Sequence, residues 1–355
     1  MSSANDVRAM LIESVTRVMN DHVDQKLLGA AKNDGWSPAL WQVLETGEFP
    51  RIGIPEESGG AGGTLSDLAA VLRVAGRFPA PVPLAETAML AAWMLSSAGF
   101  AVPKGPLAAG PAGEETVHAR CEDGRWIVSG ALARMPWARV AKRFVLLADS
   151  DAGGVVVSVD PARCQIRPGS NLAGEPRDSV VLDEVVAEEA GPATEVTRNA
   201  LKLRGALARA LLMAGALEGA LELAVRYAQE RTQFGRRIGQ FQAIQQELAR
   251  FAGEVAAAVA AALSAAGTME RGGDVTLAVA SAKIRAAEAA REGALIAHQV
   301  HGAIGVTDEY PLHHATLRLW AWREEYGNEA EWAIALGGIT QKRGADALWP
   351  ALATN

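Results

Sequence analysis

Hydrophobic positions along the chain change their period twice. From Val7 to about Gly99 they recur at helical spacing, broken by FPRIGIPEESGGAGG, Phe49 to Gly63. The prolines and clustered glycines of that stretch predict a loop between helices. GGAGG neither opens a helix after a strand nor carries a lysine, so it reads as a turn and not a phosphate cradle. FPAPVPLAET, Phe78 to Thr87, ends one helix and starts another. Between about Val117 and Val186 the texture switches to short β-branched runs: RWIVSG, RFVLLAD, GGVVVSVD and SVVLDEVV. Glycine, aspartate and proline separate them, which predicts a small, mainly antiparallel β domain with a hairpin turn at Asp123-Gly124. From Thr197 the helical period returns. Helices are expected over Leu201 to Glu230, Phe241 to about Arg271, and Val275 to about Val300. The second carries an apolar stripe at Phe241, Ile244, Leu248, Phe251, Val255, Val259 and Leu263. Helices near ~45 Å long suit an antiparallel bundle. The predicted class is α+β, with a helical domain over 1–105, a β domain over 106–195 and a helical bundle over 196–355.

Composition narrows the picture without changing it. The 355 residues are 49% hydrophobic and 21% charged, and fit two or three packed units. A net charge of −7 argues against a general nucleic-acid or membrane-surface role. Cys121 and Cys164 have neither metal nor redox spacing and read as buried free thiols. His298, His301, His313 and His314 come close to a cluster, but no acid or cysteine joins them at zinc spacing. With no leader pattern and no charge-free run of 18 apolar residues, the expectation is a soluble cytoplasmic protein.

Against this acidic background one basic stretch stands out: RTQFGRRIGQFQAIQQ, Arg231 to Gln246. Arg231 to Gly235 reads as a turn between two long helices that presents a guanidinium, an amide and an aromatic ring together. A guanidinium fork matches a pyrophosphate, the amides of Gln233 and Gln242 suit the polar edge of a ring or ribose, and Phe234 suits a flat ring system. On these residues alone, a bundle corner with an exposed arginine and a buried phenylalanine is the favoured reading.

The order Arg-x-x-Phe-Gly, then Ile238, then Phe241-Gln242, resembles the flavin-binding turn of the acyl-CoA dehydrogenase family. QVHGAIGVTDEYPL, Gln299 to Leu312, is similar to that family's Gln-x-x-Gly-Gly-x-Gly segment followed by Glu-Tyr-Pro, with Ala303 in place of the second glycine. GIPEESGGAGGT and WIVSG also stand where the family has such segments. The resemblance covers nearly the whole chain. It implies an N-terminal helical domain, a central β domain and a C-terminal four-helix bundle, with FAD in the cleft and subunits paired so that one completes its neighbour's cofactor site. It places Arg231, Gln233 and Phe234 on the FAD pyrophosphate and rings, and Ile238 and Gln242 along the same surface. Gln299, Gly302 and Gly305 would approach the adenosine side from the partner chain, the glycines allowing close backbone approach.

The family's reaction removes the α-proton of an acyl-CoA thioester while the β-hydride passes to flavin. A carboxylate base with a raised pKa is required. The family places its glutamate in a Tyr-Glu-Gly-Thr segment. Here that distance is occupied by WREEYGNEAEW, Trp322 to Trp332, in which Glu325-Tyr326-Gly327-Asn328 has the first two residues exchanged. Tyr326 or Gly327 takes the base position and Glu325 lies one residue away, about 100° around a helix. Glu325 is the expected base. Glu254 and Glu270 flank an alanine run and are unpersuasive alternatives, and Glu324, Glu329 and Glu331 read as solvated charges. The family's Thr-Glu-Pro-x-Ala-Gly-Ser-Asp loop has no counterpart, and Trp137 is either a ring beside the flavin or a core tryptophan.

Three functions are therefore expected in competition. One is an FAD-dependent acyl-CoA dehydrogenase, with alanine-lined space for a bulky acyl group such as a fatty acid or steroid side chain. Another is a non-catalytic subunit that completes a neighbour's FAD site in a heteromeric dehydrogenase. The third is a flavin oxidase or monooxygenase on the same fold. The implied partners are an acyl-CoA substrate, an electron-transfer flavoprotein as electron acceptor, and either a homodimer or homotetramer or a heterotetramer with a second dehydrogenase subunit.

Overall fold

A computed structural model describes residues 2–111, 113–272, 274–344, 346–347 and 350. The chain divides into two compact units, one formed by 1–71 and 80–205, the other by 72–79 and 206–355.

The first unit opens with α1 (Ser2–His22), α2 (Gln25–Ala31) and α3 (Pro38–Thr46). Local chemistry sets the starts of two of these. Asp24 accepts from Leu27 N at 2.7 Å, and Ser37 accepts from Leu40 N with Pro38 as the first helical residue. After α3 the loop predicted over Phe49 to Gly63 is present. It holds two short 3₁₀ turns and a bridge between Ile54 and Gly62. A Cβ at Gly60 would lie 2.6 Å from Ile54 Cβ, so this glycine serves the loop's own close packing. α4 (Leu65–Gly76) follows, its residues from Leu72 on belonging to the second unit, and then a buried π-helical segment, Glu86–Ala91, that runs into α5 (Ala92–Ser97).

The β layer of this unit is an eight-stranded sheet. Its strands are β1 (Leu107–Gly110), β2 (Val117–Glu122), β3 (Arg125–Pro136), β4 (Arg143–Ser150), β5 (Gly153–Val159), β6 (Gln165–Arg167), β7 (Arg177–Val186) and β8 (Glu189–Pro192). The order is β6-β7-β3-β2-β4-β5-β8, with β1 paired parallel to β4 and the long pairings antiparallel. The expected hairpin is there: Glu122 faces Arg125 across Asp123 (φ 50) and Gly124 (φ 76), both left-handed as a type I′ turn requires. β1 and β8 extend the sheet beyond the predicted 117–186. One face buries Val128, Leu132, Phe144, Leu146, Val157 and Val180.

The second unit is helical: α6 (Arg198–Glu230, from Ala206), α7 (Gln242–Arg271), α8 (Val275–His301), α9 (Leu312–Glu324) and α10 (Glu329–Arg343). Alanine governs the packing. On α7 the buried side chains are Phe251, Val255, Ala258, Ala262, Ala265, Ala266 and Thr268. The predicted stripe holds at Phe251 and Val255 and then fails. Leu263 is 36% exposed, because repeated steps of four drift about 40° each around the helix, whereas the buried set alternates steps of four and three. α7 is the one described helix long and apolar enough to cross a membrane by length and composition. It packs on α8, and its Glu254 is ion-paired with Arg285 of that helix.

Gly293 of α8 admits the Phe251 ring: a Cβ there would lie 2.9 Å from Leu217 Cδ2 and 3.0 Å from Phe251 Cζ. Gly293→Ala is expected to destabilise the unit by about 1–3 kcal/mol through overpacking, read as a lower urea midpoint. An unchanged midpoint would show that the contact is loose.

Candidate functional site

The stretch Arg231 to Arg237 forms a miniature hairpin between two long helices. Arg231 N continues the α6 ladder to Tyr227 O at 2.9 Å, and Ile238 N returns to Arg231 O at 2.9 Å. Between them β9 (Thr232–Gln233) and β10 (Arg236–Arg237) pair antiparallel. The two connecting residues, Phe234 (φ 53) and Gly235 (φ 79), are both left-handed. Glycine takes that conformation freely, whereas Phe234 is held in a strained one. Its ring is 90% exposed and meets the Phe241 ring edge-on at 6.2 Å. Arg236 lies over the Phe241 ring at 4.1 Å. Arg231, Gln233, Phe234 and Gln242 are exposed and Ile238 is half-buried. Among the described residues Arg231, Arg236 and Arg237 form no ion pair, so one small hairpin carries three guanidinium groups without a paired acid.

The second motif lies at the end of α8. Gln299 is exposed on the last turn, and Gly302 (φ 62, ψ −143) caps the helix in a conformation open to glycine alone, with open space where a Cβ would be. Gly305 is different. It is buried, and a Cβ there would meet His301 Cβ at 3.0 Å and Leu312 Cδ2 at 3.1 Å. Its small size serves packing within this chain. The two motifs reach the same end of the helical unit through stacked rings: Tyr227 on His301 at 4.7 Å, and His301 beside Tyr310 at 4.8 Å. Burial lowers the pKa of both His301 and His298, so neither adds charge here at neutral pH. Among the described residues no group of histidine, cysteine and acid residues is placed to hold a metal ion.

Glu325 occupies a third place. α9 ends at Glu324, so Glu325 has extended backbone (φ −86, ψ 141) and Tyr326 follows in a left-handed one (φ 55). The helix rotation expected to turn Glu325 aside does not apply. Its carboxylate accepts instead from Arg209 Nε at 2.6 Å, the arginine being 2% exposed. Lys283 of α8, fully buried, donates from Nζ to Arg323 O and Gly327 O at 2.7 Å each, tying the α9–α10 turn to the bundle. Burial pulls this ammonium down to about 7 from its ordinary 10.5, against the attraction of Glu325. Sequence reading missed both Arg209 and Lys283. The signal was phase: Arg209 falls in register with the buried Ala206, Met213, Ala216 and Ala220. The remaining candidates are committed elsewhere or exposed. Glu254 pairs with Arg285, Glu329 with Arg323, and Glu324 faces solvent. In the first unit Trp137 is 2% exposed, its ring edge-on to Trp36 at 6.5 Å, which makes it a core tryptophan.

With this geometry in hand, comparisons with known proteins are decisive. A family model described as acyl-CoA dehydrogenase, N-terminal domain, matches residues 5–102, and one described as acyl-CoA dehydrogenase, C-terminal domain, matches residues 194–329. The acyl-CoA dehydrogenase IpdE2 of Mycobacterium tuberculosis is 30% identical over 309 residues, covering 86% of this chain and 88% of the relative. The chain belongs to the acyl-CoA dehydrogenase family. Among solved structures, the ChsE4-ChsE5 complex of Mycobacterium tuberculosis superposes with a TM-score of 0.84 at 24% identity, covering 95% of this chain and 96% of that one. The Tcur3481-Tcur3483 steroid acyl-CoA dehydrogenase gives 0.82 at 25% identity, covering 95% and 98%. The family's members are flavoprotein oxidoreductases, and the α+β architecture with a helical C-terminal region is theirs.

The buried lysine gives the turn a pH signature. An unfolded Lys283 binds its proton up to about 10.5, whereas the folded one releases it near 7, so between these values unfolding takes up a proton and stability rises with pH. Lys283→Met should abolish that lysine's share of the rise. Denaturant midpoints for both proteins across pH 6 to 10 test this, and parallel curves would show that the lysine stays charged in the fold.

Proposed function

We propose that this chain is the subunit of a heteromeric acyl-CoA dehydrogenase that completes a neighbour's FAD site and does not itself carry the catalytic base. The observation that supports it most is the contrast between two sets of charges. Glu325, the carboxylate nearest the base position, is engaged by the buried Arg209, whereas among the described residues the cations of the Arg231–Arg237 hairpin form no ion pair.

The chemistry follows from those residues. A general base that removes a thioester α-proton must be an ionised carboxylate with a free lone pair, its proton affinity raised by a dry pocket. Glu325 Oε2 accepts from the Arg209 guanidinium, which occupies a lone pair that a base would need. The hairpin suits FAD for the converse reason. Unpaired guanidinium forks match the two anionic phosphates of a dinucleotide, the amides of Gln233, Gln242 and Gln299 supply uncharged donors and acceptors, and the exposed Phe234 ring offers a flat apolar face. FAD, once bound, supplies the hydride acceptor. Gly302 leaves backbone open beside this surface, while Gly305 acts from beneath by seating the turn on α8.

The heteromeric fold neighbours support an assembly with a second dehydrogenase subunit, an acyl-CoA as substrate and an electron-transfer flavoprotein as acceptor. Abundant alanine supports room for a bulky acyl group.

A second reading has one observation in its favour. Because α9 stops at Glu324, Glu325 is free of the helical register that would have turned it away. In that reading Glu325 is the base and the chain catalyses alone.

Expression separates the two. The heteromeric reading expects a colourless chain when expressed alone and a yellow complex, bleached by acyl-CoA, when co-expressed with a second dehydrogenase subunit. In that complex Glu325→Gln should leave bleaching within about twofold, in line with loss of a structural pair and not of the base. A yellow protein alone, bleached by acyl-CoA and silenced by Glu325→Gln, would establish the second reading. Rapid peroxide formation by the reduced flavin would instead mark an oxidase or monooxygenase.

A further inference from the structure

Arg204, at the edge of the first unit, differs from the other arginines of that unit that face its acids. Arg8 meets Asp67 at 2.8 Å, Arg139 meets Asp178 at 2.5 Å and Arg198 meets Asp149 at 2.9 Å. Arg204 is half-buried, and among the described residues it forms no ion pair. Its guanidinium carbon lies 4.1 Å from the centroid of the Trp93 ring, and Nη1 lies 3.8 Å from Met89 Sδ. The acid that acts on it, Glu195, is exposed and attracts it only through space. Burial lowers its pKa to about 10.

A guanidinium carries five N–H donors in a plane. An indole face satisfies its charge in part, and a thioether is a weak acceptor. Half-burying such a cation with no acid in contact costs solvation that the Trp93 face and Met89 return only in part. Met89 belongs to the π-helical segment Glu86–Ala91, and Trp93 stands in the turn after it. π-helical turns inside helices recur at ligand sites. Trp93 covers one face of the guanidinium and Met89 takes one Nη1 donor, and among the described residues no acid takes the remaining donors.

We propose that Arg204, backed by Trp93 and Met89, recognises a compact oxyanion carried by a bound CoA ester. A carboxylate on the acyl group and a phosphate of the CoA carrier offer the same chemistry, two oxygens accepting parallel N–H donors. The choice of a CoA ester rests on the dehydrogenase reading, whereas the oxyanion preference rests on Arg204 alone.

Calorimetric titration of the full-length protein, in the assembly it forms, with adipoyl-CoA, hexanoyl-CoA and free adipate tests this. Tighter binding of adipoyl-CoA than hexanoyl-CoA, by roughly tenfold and abolished in Arg204→Met, supports an acyl carboxylate. Equal binding of both esters, with both weakened roughly tenfold in Arg204→Met, supports the CoA phosphates. Arg204-dependent binding of adipate without binding of either ester keeps the oxyanion site and removes the dehydrogenase reading of its carrier. Wild-type affinity of Arg204→Met for every probe overturns the proposal. Should the methionine variant not fold, Arg204→Lys carries the test. It keeps the charge and lacks the fork, so weakened binding supports the proposal and unchanged binding overturns it.

Discussion

A guanidinium that is 2% exposed inside an alanine-rich bundle requires a carboxylate, and Arg209 has Glu325. Much of the end of the helical unit follows from that requirement. Glu325 must point inward, so α9 stops one residue earlier and the chain reverses through Tyr326 and Gly327, both at positive φ. Within the reversal Trp332 Nε1 donates to Tyr326 O, and Lys283 Nζ donates to Gly327 O and to Arg323 O just before it. Asn328 then starts α10 by accepting from Ala330 N and Glu331 N. Removing Glu325 would take from the buried Arg209 its carboxylate partner and destabilise this end of the bundle.

The same pair bears on function. In this family's chemistry a carboxylate must be poised to take a proton, and the carboxylate nearest that position here performs a structural task. The hairpin between α6 and α7 shows the opposite arrangement. Among the described residues its arginines form no ion pair, its phenylalanine is exposed, and its turn holds Phe234 in a conformation that a non-glycine residue adopts at a cost. Strain and bare charge at one corner fit a surface made to be covered by something anionic and flat. On the proposed reading, an engaged carboxylate at one place and an exposed basic hairpin at another are what a subunit completing a neighbour's FAD site would carry.

Much of the architecture was legible in the sequence because its signals are local. Asp123-Gly124 fixes a hairpin by backbone conformation alone, and the long helices follow from a repeating period. β1 and β8 were not legible. Leu107–Gly110 is an alanine and glycine run held in strand form by pairing with β4, and Glu189–Pro192 is an edge segment poor in β-branched residues. The α7 stripe was misplaced beyond Val255 because alanine carries no hydrophobic contrast, and the face that docks on α8 is made of alanine. At the site, the hairpin residues and Gln299 announced themselves by motif. Arg209 and Lys283 did not, since the groups they serve lie 116 and about 40 residues away in the chain.

The central claim is that the Arg231–Arg237 hairpin holds the diphosphate of a flavin dinucleotide seated largely on an adjoining subunit. A crystal structure of the assembled protein grown with FAD measures this directly. The account predicts Arg231 within hydrogen-bond distance of a diphosphate oxygen of the neighbour's FAD, with the Phe234 ring covered. An FAD bound elsewhere, with the hairpin facing bulk water in every interface, would contradict it.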